Sequence, residues 1–194
     1  MRLLVMILGL ILFLGVHTLT TQRDLRARFI VSMGDGGYKI FYALVSIAGL
    51  ALIAWGFAEY RATGWIDVWN PPKVFKHITV ALMLPAVILV VASYLRGRIY
   101  TTLKHPMLTG VKLWAAAHLL ANGDLGSIIL FGSFLAWAVF DRISLKRRPD
   151  AGAPPIPVGG PGNDLIAIAV GIVAYLALAF AFHPVVIGVP VFGV

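Results

Sequence analysis

Apolar residues fall into six long runs divided by short polar breaks. They cover Leu3 to Thr20, Tyr38 to Ala58, Val74 to Leu95, Pro106 to Ala121, Leu125 to Phe140, and Asp164 to Phe182, the last closing on His183-Pro184. A helix crosses a hydrocarbon layer about 30 Å thick with roughly 20 apolar residues. The pattern therefore predicts an all-α polytopic membrane bundle of about six transmembrane helices, one domain spanning residues 1–194. The first run reads as a span rather than a cleaved signal peptide, since only Arg2 precedes it and no A-x-A-like site follows. Gln22 to Met33 reads as a short amphipathic segment at the membrane surface, and Gly34 to Gly37 as a turn. Glu59 to Lys73, with Trp65, Trp69, Pro71 and Pro72, has the composition of an interfacial loop. Pro85 is expected to kink the third span. The fourth starts with Pro106 in its first turn and ends at Asn122-Gly123, which suit a left-handed cap. Arg142 to Gly162 is charged, then rich in Pro and Gly, and reads as an extended, mobile loop.

Composition agrees with the pattern. The chain is 60% hydrophobic and 12% charged, with a mean hydropathy of +0.91; soluble domains carry about 25% charged residues. With no cysteine, disulfides, zinc–thiolate sites and iron–sulfur clusters are excluded. The net charge of +8 fits basic loops on the cytoplasmic side rather than a nucleic-acid partner. With the N-terminus outside, eleven of the 16 Lys and Arg fall in inner segments and four (Arg2, Arg61, Lys73 and Lys76) in outer ones, with Lys112 inside a span. That bias predicts a multi-pass membrane protein with its basic loops on the cytoplasmic side.

The candidate chemistry is histidine. An intramembrane histidine is costly unless paired, so each is a site candidate. His17 and His118 lie deepest; His77 and His183 are near span ends, and His105 begins the fourth helix, where it could act as a cap. His105 and His118 would sit roughly 20 Å apart along that helix, too far to share one metal. Lys112 falls on the His105 face, placed to snorkel or to neutralise an anionic ligand group. Trp114 and Asn122 flank His118 by one turn on either side. Of eight acids only Glu59 is glutamate, and none is expected deep in a span. That argues against a carboxylate relay, a di-metal carboxylate site and a Ser-His-Asp triad. A haem held by neutral imidazoles fits the residues best, its propionates meeting Arg or Lys at a membrane boundary.

Three stretches carry a family resemblance: G-V-H-T-L-T-T-Q-R-D-L-R-A-R (15–28), K-H-P-M-L-T-G-V-K-L-W-A-A-A-H-L-L-A-N-G-D (104–124) and F-H-P-V-V-I-G-V (182–189). Together they resemble the NnrU family, which is associated with denitrification and related to the haem-b-binding zeta-carotene isomerase. The resemblance implies haem b, with His17 and His118 as metal ligands, and a polyene or a respiratory enzyme as partner beyond the bilayer; His105, Lys112, Trp114 and Asn122 are the cofactor-binding candidates that helical position adds. It implies a possible haem-dependent cis–trans isomerase. A redox-linked cysteine of the plant isomerase corresponds to Ala115, so that ligand switch does not carry over. Depth conflicts with the implied pair: the predicted topology puts His17 in the inner leaflet and His118 in the outer. His17 with His105, and His118 with His77 or His183, are the depth-compatible pairs. For the second ring nitrogen of His118, the Asn122 side chain and the Trp114 carbonyl compete as acceptor. Two alternatives remain open. K-H-P-M-L-T-G also resembles the S-adenosylmethionine-binding motif of membrane methyltransferases, with Lys104 and Leu108 where that motif has Arg and Tyr. A non-catalytic assembly factor for a respiratory enzyme is the other.

Overall fold

A computed structural model describes residues 2–148 and 158–192. Among the described residues, seven α-helices follow in chain order: α1 (Arg2–Leu19), α2 (Arg23–Ala62), α3 (Lys73–Ala92), α4 (Arg98–Leu103), α5 (Pro106–Ala121), α6 (Leu125–Arg147) and α7 (Gly162–Ala177), the last continued by a π-helical segment, Leu178–Ile187. Five of them, counting α7 with its extension, are long and apolar enough to cross a membrane. The chain is an all-α, multi-pass membrane protein. The expected fourth span is α5, with the boundaries read from sequence; its 16 residues give about 24 Å of helix, short of the full thickness.

Three boundaries differ from expectation. The amphipathic segment and the second span are one 40-residue helix, broken only by Gly34 at φ 73°, ψ 163°. Glycine alone visits that conformation cheaply, while Gly36 and Gly37 remain helical, so the predicted turn shrinks to one residue. Helix α6 runs to Arg147 instead of ending near Phe140, because Ile143 to Arg147 are sound helix formers and the basic end complements the helix dipole. The chain is not left-handed at Asn122-Gly123. Asn122 is extended at φ −127°, ψ 121°, and Gly123 is needed because a Cβ there would collide with the Trp69 carbonyl. Helix α3 passes through Pro85 as one element. The stretch 149–157 of the expected mobile loop lies outside the described residues. Its end, however, is tied down: Gly159 N–H donates to the Arg96 carbonyl at 2.7 Å.

The helices sort into two units, one of α1, α2 and α6, the other of α3, α4, α5 and α7 with its extension. In the first, α1 and α2 approach backbone to backbone: a Cβ on Gly9 would lie 2.7 Å from the Gly49 carbonyl, and one on Gly49 2.8 Å from the Phe13 nitrogen. Close small-residue packing is how helices associate in lipid, where apolar burial gives little drive. In the second unit α3 is the frame. A Cβ on Gly110 of α5 would meet the Ala86 carbonyl at 2.8 Å, and one on Gly171 of α7 would meet Ile88 Cγ1 at 2.7 Å. Two adjacent α3 residues make the polar ties. Thr79 Oγ1 donates to the Ala117 carbonyl at 2.6 Å, and the Val80 carbonyl accepts from the Tyr175 hydroxyl at 3.2 Å.

Candidate functional site

The histidines fall in different units, and each site is built within its own. In the first, His17 sits near the end of α1. Its Nδ1 lies 2.6 Å from the Phe13 carbonyl, one turn earlier. A carbonyl only accepts, so Nδ1 carries the proton and Nε2 the lone pair. Three aromatic rings enclose the imidazole: Phe13 stacked at 4.2 Å, Tyr42 at 5.1 Å and Trp137 edge-on at 5.7 Å between ring centres. The T-L-T-T that follows is a set of local ties. Thr18, Thr20 and Thr21 hydroxyls donate to the carbonyls of Leu14, His17 and Thr18, and Thr18 Oγ1 accepts from Trp137 Nε1 at 3.2 Å. Arg148 closes this end by donating to the Thr20 carbonyl and to the Asp141 carboxylate, each at 3.0 Å. That ion pair is almost dehydrated, with 12% of each side chain exposed. Asp141 therefore corrects the expectation that no acid is buried in a span; it is buried because α6 continues past Phe140 and Arg148 neutralises it. Helical spacing held the signal, since Trp137, Asp141 and Arg148 recur on one face.

The second unit holds the other four histidines. His118 is half-buried in the last turns of α5, and its Nδ1–H donates to the Trp114 carbonyl at 2.9 Å. The Trp114 ring lies 5.4 Å from the imidazole. Of the two acceptors open in the sequence, the carbonyl has the position; the Asn122 amide instead donates to the His118 carbonyl at 2.8 Å. Ala115 is fully buried, as is Ala117. The imidazole of His183 lies beside that of His118, with ring centres 6.2 Å apart and planes 30° apart. His183 sits in the π-helical segment beside Pro184, and its carbonyl accepts from Val189 N–H at 3.2 Å. Its Nδ1 is enclosed and has no hydrogen-bond partner. His77 is exposed on the first turns of α3, with Nδ1 3.3 Å from the Lys73 carbonyl. His105 is the residue before α5 and makes no side-chain cap; its carbonyl accepts from the Thr109 backbone and hydroxyl. Lys112 is half-buried on α5. Lys104 ends α4 at φ 62°, so K-H-P-M-L-T-G spans a sharp α4–α5 corner rather than a continuous helix. Among the described residues, no three His, Asp or Glu side chains converge as a metal site.

The family model described as NnrU protein matches residues 5–191. The chain belongs to the NnrU family. No curated protein and no solved structure matches it. The matched span takes in all five histidines and reaches across both units.

Proposed function

We propose that this NnrU protein binds haem b in the bacterial inner membrane and that His118 supplies an axial imidazole. The observation that carries the reading is the fixed tautomer of His118. Its Nδ1–H is held by the Trp114 carbonyl, which leaves the lone pair on Nε2 and sets the ring's direction, as ligating histidines require. The donor set points the same way. A structural zinc takes four protein ligands, and no cluster of three is present among the described residues. Haem brings four nitrogens and asks the protein for only one or two axial groups. When bound, haem would supply an iron centre for electron exchange or for contact with nitric oxide or a polyene, the two settings that the family resemblance offers.

What the residues themselves do is hold and shield. Trp114 lies against the His118 ring, the fully buried Ala115 and Ala117 pack α5 against its neighbours, and Thr79 fixes the adjoining turn by donating its hydroxyl to the Ala117 carbonyl. The test is the absorption spectrum of protein purified from haem-replete cells. A Soret band in the wild type, abolished or strongly depleted in His118→Ala, is expected. A colourless wild type that takes up no added haemin overturns the reading, and binding of S-adenosylmethionine by that colourless protein would favour the methyltransferase alternative.

A further inference from the structure

We infer that His183 is the imidazole opposite His118, so that one haem iron is held within the second unit by α5 and the π-helical end of α7. This rests on the haem reading above and names the second ligand of the same centre. Two axial nitrogens at about 2 Å from a metal stand about 4 Å apart, and each ring centre lies roughly 1 Å further out, giving about 6 Å between centres. The observed separation is 6.2 Å, with the planes only 30° apart. The two rings reach that spacing through α3. Thr79 ties down the turn of α5 that carries His118, and Val80, the next residue, ties α7 through Tyr175.

His183 also has a need that a ligand would meet. Its Nδ1 is enclosed without a hydrogen-bond partner, an arrangement that proteins avoid unless something else satisfies the atom, so Nδ1 is the nitrogen that an iron would take. Its backbone is built for position rather than regularity. The segment is π-helical, a form concentrated at functional sites; Pro184 has no N–H to give, and Gly188 closes the segment in the left-handed region at φ 74°. Two depth-compatible partners were open to His118 in the sequence. His77, the other, is exposed and turned to its own helix's Lys73 carbonyl.

The experiment compares wild type, His183→Ala, His183→Met and His17→Ala, purified side by side and read by absorption and electron paramagnetic resonance. The wild type should be low-spin. His183→Ala should become high-spin, with the low-spin signal restored by added imidazole, and His17→Ala should stay low-spin. A low-spin His183→Ala overturns the pairing while leaving haem binding intact; a low-spin signal lost in His17→Ala instead would assign the second ligand to α1. A wild type that takes up no haemin overturns both the pairing and the haem reading, so the two failures are distinct. Should His183→Ala fail to accumulate, His183→Met carries the test: a low-spin signal shifted to that of an imidazole–thioether pair is expected, and an unchanged signal overturns the pairing.

Discussion

His17 and His118 share one local device and differ in what surrounds it. Each donates Nδ1–H to the carbonyl four residues back, and each has an aromatic ring at that residue, Phe13 or Trp114. His17 then meets more aromatic rings, at the end of a helix pinned by threonines, Trp137 and a buried ion pair. His118 meets a second imidazole with an unsatisfied nitrogen. The same backbone device therefore sits in two settings: the His17 ring is closed in by aromatic neighbours, whereas the His118 ring faces the imidazole of His183, whose Nδ1 has no hydrogen-bond partner. The Nδ1–carbonyl bond prepares either imidazole to ligate through Nε2; the second imidazole beside it is what sets His118 apart.

The largest effect expected on this contrast comes from Arg148→Ala. Removing the cation of the buried Asp141–Arg148 pair should cost about 3–5 kcal/mol, seen as a lower melting temperature in detergent. The folded fraction should keep the wild-type spectrum, because the pair supports the His17 region and not the His118 region. A spectrum lost in step with the ion pair would erase the distinction. A pair of glycine variants probes it next. Gly9→Leu wedges α1 from α2, and Gly171→Leu wedges α7 from α3; each should cost about 1–3 kcal/mol. Only the second should convert the haem to high-spin, by moving the helix that carries His183. Asn122→Ala is the smallest. It removes a donor to the His118 carbonyl, not an acceptor for the ring, so about 0.5–1.5 kcal/mol of stability is expected, with the haem-to-protein ratio unchanged. A loss of haem affinity of about 10- to 100-fold would instead show that Asn122 orients the imidazole.

Much of the architecture was legible because lipid imposes long apolar runs, and α5 was placed to the residue by Pro106 and Asn122. The overrun of α6 was not, because its last residues are polar and helical at once, and polarity had been read as the end of the helix. Asp141 was missed with it. The Trp114 carbonyl was open as an acceptor but indistinguishable in sequence from Asn122, since both lie one turn from His118. His183 stood among the depth-compatible partners of His118, yet its position near a span end and beside a proline gave no reason to prefer it. That preference needs the tertiary ties through Thr79, Val80 and Tyr175, which join residues 38 and 95 positions apart.

The π-helical segment has a consequence for how this family can vary. A π-turn holds one residue more than an α-turn, so the same ten residues wound as ordinary helix would turn further by the time the chain reaches His183. Apolar content, length and predicted topology would hardly change, yet the imidazole would leave the axis in another direction. Homologues that retain every histidine but wind this segment as ordinary helix would then keep the ligands in their alignment and lose the geometry that joins them.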